Sequence, residues 1–145
     1  MNNDERLRIL YIEDNCDSFE MLKVLLGMAQ IEVESAPSIA EGLKRAGSER
    51  FDLYLLDSGL PDGTGLGLCR TLRAVDPETP VLFYSGHAHP EEIRMGMAAG
   101  ADGYITKPHS DRLAETIVQL VVNRREKPFV LVSLPVLAAS SSASA

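Results

Sequence analysis

Five side chains stand out because each one follows directly on a short apolar run. Glu13 and Asp14 follow LRILYI (Leu7 to Ile12), and Asp57 follows FDLYLL (Phe51 to Leu56). Ser85 follows VLFY (Val81 to Tyr84), and Lys107 follows YIT (Tyr104 to Thr106). In an open α/β sheet the ligand crevice lies outside the carboxyl ends of the strands. Runs of this kind, read as parallel strands, therefore gather three carboxylates, one hydroxyl and one ammonium at one sheet edge. Three carboxylates in one crevice repel, and at least one pKa rises unless a cation sits among them. A hard divalent cation with oxygen ligands meets that need. Mg2+ fits best, because it accepts a few carboxylates together with waters and phosphate oxygens. Lys107 adds a second positive charge on the far side. A phosphoryl group between the two would be neutralised from both sides, and its transfer depends mostly on positioning and electrostatics. A carboxylate can serve as the nucleophile and form an aspartyl phosphate.

The elements that position these residues are legible as alternating strands and helices. After the first strand, Asp17 with Glu20 suggests a capping box for a helix over about residues 17–28. IEVESA (Ile31 to Ala36) alternates with period two, as an edge strand does. Ser38 with Glu41 suggests a second capping box, for a helix toward Ala46. FDLYLL leads into a turn-rich loop from Ser58 to Gly65. A helix from about Leu66 to Val75 stops before Asp76-Pro77, since the residue before proline avoids the helical region. After the fourth strand, Pro90 suits a first helical position. Glu91 and Glu92 suit its positive end, and Gly100 is the expected stop. The fifth strand precedes a last helix over about 111–123, with Ser110 as its cap. Strands alternating with helices imply parallel pairing and right-handed crossovers. Nearly continuous apolar runs mark strands buried on both faces. The expected fold is α/β, a doubly wound five-stranded parallel sheet with helices on both faces.

Over residues 6 to 125 the chain resembles the receiver domain of two-component response regulators, the flavodoxin-like fold of the bacterial chemotaxis regulator. The resemblance is carried by Glu13-Asp14, by Asp57 with Pro61 and Gly65 behind it, by Ser85-Gly86, and by GADGYITKP from Gly100 to Pro108. It implies strand order 2-1-3-4-5. It implies that Asp57 accepts a phosphoryl group from a sensor histidine kinase or phosphotransfer protein. Asp14, Asp57 and the backbone carbonyl of Gly59 would then bind Mg2+, with Glu13 assisting through water. Ser85 and Lys107 would hold phosphate oxygens, helped by backbone N–H groups near Ser58, Gly59 and Gly86. Tyr104 matches the switch aromatic, which turns inward as the Ser85 hydroxyl moves toward the phosphate. The face formed by helix 4, strand 5 and helix 5 would then change for a downstream protein or output domain. Two variable positions are Gly59, with no side chain to screen a phosphate, and His87.

The 145 residues include 14 Lys and Arg against 21 Asp and Glu, a formal charge of −7. An acidic domain of this size is a poor candidate for gripping nucleic acid by itself. Two cysteines, Cys16 and Cys69, make neither a disulfide framework nor a zinc site. No run approaches a membrane span, and the acidic N-terminus does not read as a signal peptide, so a cytoplasmic location is expected. His87, His89 and His109 do not share one helix face. Met95 and Met97 are expected to pack in the core and at its rim. The expected organisation is a receiver domain over 1–125 and a C-terminal extension or linker over 126–145. That extension is apolar from Pro128 to Leu137, then only Ala and Ser. Linker, locally packed extension and strand exchange in a homodimer are the alternatives for it. Two other functions compete with the switch: a Mg2+-dependent phosphohydrolase with an aspartyl nucleophile, and a binding module without phosphorylation. The first usually needs a second carboxylate two residues after the nucleophile, where this chain has Gly59.

Overall fold

The computed structural model describes residues 6–107 and 109–133, with side chains described as far as residue 124. The main sheet contains β1 (Leu7–Ile12), β2 (Ile31–Ala36), β3 (Leu53–Leu56), β4 (Val81–Ser85) and β5 (Gly103–Thr106). All four pairings are parallel, and the order is β2-β1-β3-β4-β5. The helices are α1 (Cys16–Gly27), α2 (Ile39–Ser48), α3 (Gly65–Val75), α4 (Pro90–Ala98) and α5 (Leu113–Ser133). One sheet face packs Ile9, Tyr11, Leu53, Leu55 and Leu82 against Leu22 and Leu26 of α1 and Leu113, Ile117 and Val121 of α5. The other packs Leu10, Ile12, Leu56 and Phe83 against Leu68 and Leu72 of α3 and Leu43 of α2. The sheet is therefore doubly wound, because successive residues of each strand feed opposite faces. β3 and β4 are buried throughout, whereas β2 at the edge alternates. Among the described residues, no helix is long and apolar enough to cross a membrane.

Several local expectations are corrected. Asn15, not Asp17, caps α1: its side chain accepts from the Ser18 N–H at 2.9 Å, two residues earlier than the Asp17–Glu20 spacing suggests. Ser38 does cap α2, accepting from the Glu41 N–H at 3.2 Å. The Ser58–Gly65 loop contains a short antiparallel ladder between Gly59–Leu60 and Gly63–Thr64, and Thr64 caps α3. Asp62 contributes to this corner by accepting from the N–H groups of Ile39 and Ala40 at the start of α2. Ser110 opens a 3-10 turn, Ser110–Arg112, and α5 begins only at Leu113. Met95 and Met97 are exposed rather than packed, at 40% and 43%.

The C-terminal helix departs most from expectation. α5 continues through Pro128 to Ser133, 21 residues in all, with no break at residue 125. Proline lacks an N–H and so removes one helical bond, but here it does not end the helix. The end of the apolar segment and the Ala/Ser stretch, residues 134–145, and the residue Pro108 lie outside the described residues.

Candidate functional site

The site forms at the carboxyl edge of β1, β3, β4 and β5 because the ladders continue one residue past the strands. The Glu13 N–H donates to the Ala36 carbonyl at 3.0 Å, the Asp57 N–H to the Ile12 carbonyl at 3.2 Å, and the Lys107 N–H to the Ser85 carbonyl at 2.8 Å. Each polar residue is thus fixed by the backbone of a neighbouring strand. Gly65 fixes the acceptor loop from behind. Its N–H donates to the Ser58 carbonyl at 2.8 Å. A Cβ at this position would lie 2.1 Å from the Asp57 carbonyl oxygen and 2.9 Å from the Phe83 ring.

Carboxylate oxygens of Glu13, Asp14 and Asp57 all lie within 4.8 Å of one another. Glu13 is buried, Asp57 half-buried and Asp14 exposed, so the cluster is sealed beneath and open to water above. Lys107 Nζ is 2.7 Å from Glu13 Oε1 and 3.7 Å from Asp57 Oδ1. The Tyr11 hydroxyl donates to the same Glu13 oxygen at 3.0 Å, and the Asn15 N–H to its partner at 3.2 Å. Beneath the ammonium lies the Tyr84 ring, 5.6 Å from Nζ to centroid. These contacts explain the titration behaviour. Burial raises the Asp57 pKa, and the nearby Glu13 charge raises it further; Lys107 and the N–H groups of Ser58 and Gly59 oppose this without cancelling it. Burial also works against Glu13, but its hydrogen bond and charge pairing with Lys107 hold its pKa below the usual carboxylate value. Lys107 is correspondingly raised, since its contacts with Glu13 and Asp57 outweigh its burial.

One ammonium does not balance three carboxylates. The surplus is about two negative charges, which a divalent cation would neutralise with the hard oxygen donors it prefers. The residues present therefore fit Mg2+.

Ser85 is fully buried. Its Oγ lies 2.5 Å from Ser58 Oγ and accepts from the His87 N–H at 3.0 Å. Tyr104 stacks on Phe83 with ring centroids 5.2 Å apart and planes inclined by 21°, and its hydroxyl donates to the His87 carbonyl. Space beside Gly59 and Gly86 is open. The structure thus brings Glu13, Asp14, Asp57, Ser58, Ser85 and Lys107 together, with Gly59 and Gly86 at the mouth. Tyr104 reaches them through the His87 backbone and through a side-chain hydrogen bond with Ser85.

Two participants escape the strand-end pattern. Tyr11 lies two residues before Glu13 on the same strand face, and that spacing alone is enough to place it beneath the carboxylate. Ser58 contributes its side chain as well as its N–H. Its contact with Ser85 spans 27 residues of sequence and leaves no local signal.

A parallel sheet of this order, with an acidic cluster and a lysine at its carboxyl edge, defines the CheY-like, flavodoxin-type fold class. Residues 9–118 match the response regulator receiver domain, and the chain belongs to that family of phosphoacceptor signalling domains. It is 36% identical over 122 residues to the cell cycle response regulator CtrA of Brucella ovis, covering 83% of this chain and 52% of that one. The same figures hold for CtrA of Brucella anthropi. The chain spans about half the length of these curated relatives. Among solved structures, it is similar to a CheY-like receiver domain protein from Methanospirillum hungatei, with a TM-score of 0.78 and 31% identity, covering 83% of this chain and 98% of that one. It is also similar to the response regulator TrrA of Thermotoga maritima, solved in complex with Mg2+ and BeF, with a TM-score of 0.72 and 28% identity over 79% and 98% of the two chains.

Proposed function

We propose that this domain is a phosphorylation switch in which Asp57 takes a phosphoryl group from the phosphohistidine of a sensor kinase or phosphotransfer protein. The observation that carries this reading is the convergence of the Glu13, Asp14 and Asp57 oxygens within 4.8 Å, with Lys107 at the rim. An Asp57 Oδ attacks phosphorus, an O–P bond forms, the N–P bond breaks, and the imidazole leaves with the electron pair. Asp14, Asp57 and the Gly59 carbonyl would hold Mg2+, with Glu13 assisting through water, and the bound ion would supply charge neutralisation at the phosphoryl oxygens. Lys107 exchanges its contact with Glu13 for one with a phosphoryl oxygen, while Tyr11 and the Asn15 N–H keep Glu13 in place. The N–H groups of Ser58, Gly59 and Gly86 and the Ser85 hydroxyl take the remaining phosphoryl oxygens. As Ser85 moves, the His87 backbone and with it Tyr104 are released, and the α4–β5–α5 face changes for a partner. The phosphate biases a two-state element only as far as its contacts differ between the states.

The domain is regulatory and acts only on its own phosphorylation state. Gly59 offers no acid or base for repeated turnover, and the open space beside it leaves the phosphate unscreened from water. His87, at the other variable position, tunes the hydrolysis. The receiver unit extends over 1–125, and 126–145 serves as an extension or linker, of which the described residues, as far as Ser133, continue α5.

Incubation with Mg2+ and acetyl phosphate, followed by intact-mass measurement, tests this function. The wild type should gain one phosphate, and Asp57→Asn should gain none. Turnover of free phosphate esters would instead make the chain a phosphohydrolase, and an unmodified wild type would make it a binding module.

A further inference from the structure

Ser58 directly follows the acceptor, and its side chain has no part in the proposal above. Its hydroxyl is nonetheless paired with the one switch residue that is fully buried. We propose that Ser58 is a positioning residue for the switch: its hydroxyl latches Ser85 in the resting state and must release it before Ser85 can reach the phosphoryl group. This inference rests on Asp57 being the phosphoacceptor and Ser85 a phosphate ligand.

The two Oγ atoms are 2.5 Å apart, and either hydroxyl can donate. Ser85 Oγ also accepts from the His87 N–H at 3.0 Å. A serine hydroxyl has one proton and two lone pairs. If Ser85 donates to Ser58, its proton is already committed, yet a phosphoryl oxygen can only accept and would need that same proton. If Ser58 donates, Ser85 Oγ is pinned by two donors with both lone pairs filled. In the first arrangement a bond from Ser85 to a phosphoryl oxygen takes the proton away from Ser58; in the second the two donors hold Ser85 Oγ in its resting position. The bond is formed out of bulk water, because Ser85 is fully buried and Ser58 half-buried. It therefore weights the resting state by the net value of one neutral hydrogen bond, about a fivefold factor. Ser85 is the last residue of β4, whereas Ser58 lies two residues past the end of β3 in the loop that follows the acceptor, so the latch ties that loop to the neighbouring strand.

Removing the Ser58 hydroxyl leaves its backbone N–H in place. The experiment titrates the Mg2+-loaded full chain with BeF3− and follows the bound fluorides by 19F NMR. Ser58→Ala should bind about fivefold more tightly than the wild type, and Ser58→Thr, which restores a hydroxyl, should return toward the wild-type value. In a Ser85→Ala background, Ser58→Ala should have no effect, a coupling that a merely structural role would not produce. Unchanged or weaker binding by Ser58→Ala overturns the latch, as does an equal gain in the Ser85→Ala background. A wild type that takes up neither BeF3− nor phosphate overturns the underlying reading of Asp57 and the latch with it. Thermal unfolding of each variant separates these results from loss of fold.

Discussion

Burial partly out of water and the neighbouring Glu13 charge both raise the Asp57 pKa. The sign of the consequence follows from linkage. A carboxyl whose folded pKa lies above its unfolded value near 3.9 destabilises the fold at higher pH and stops doing so once it is protonated. Without Mg2+, Asp57→Asn is therefore expected to melt above the wild type near neutral pH. A relief of ~1 kcal/mol corresponds to roughly 2–4 °C. The gap should close as pH falls through the raised pKa, and calorimetry at a series of pH values would measure it. A mutant that melts lower than the wild type at neutral pH would show that the Lys107 contact and the loop N–H groups outweigh repulsion. The neutral side chain makes fewer demands on its surroundings but forfeits the nucleophile, a familiar conflict between stability and function.

Gly65 sets the relation between an element and the site. α3 begins so close to the acceptor strand that any side chain at its first residue would overlap the Asp57 carbonyl. Gly65→Ala must push the helix start or the strand end aside. Overpacking of this kind costs ~1–3 kcal/mol, which urea unfolding would show as a lower midpoint. The strands themselves were readable because β1, β3 and β4 are buried on both faces and stop abruptly at Glu13, Asp57 and Ser85. The acidic cluster follows from those stops and was equally readable. Helix starts were less so: Asn15 and Asp17 are both competent caps, and only the turn geometry after Glu13 selects Asn15. The last helix was expected to end near Asn123, but α5 runs on past Pro128 to Ser133, so one missing N–H did not end it. The Ser58–Ser85 contact joins two common hydroxyls, one in the loop after β3 and one at the end of β4, so periodicity carries no trace of it.

The two ends of the sheet have opposite electrostatic designs. The carboxyl end collects like charges, whereas the amino end is closed by balanced ones. Arg73 of α3 donates to the carbonyls of Gly100 at 2.7 Å and Thr79 at 2.6 Å and pairs with Asp102. Arg124 of α5 meets the same carboxylate at 3.2 Å, and Asp102 accepts from the Val81 N–H at 2.9 Å. Nearby, burial would raise the Asp76 pKa, but donors from Thr79, Tyr54 and Glu78 hold it below the usual carboxylate value. Its contribution is present above the unfolded pKa near 3.9 and is lost as pH falls through the depressed value. Asp76→Asn should therefore flatten the loss of stability as pH falls below about 4, read from urea midpoints. A slope identical to that of the wild type would assign acid sensitivity to other carboxylates. The molecule also distributes its sulfur unevenly. Cys69 is sealed inside, while Cys16 opens α1 on the surface, two residues beyond Asp14. A maleimide dye would consequently attach at a single defined point beside the acidic pocket, so the native chain already carries its own fluorescent reporter position without any engineered thiol.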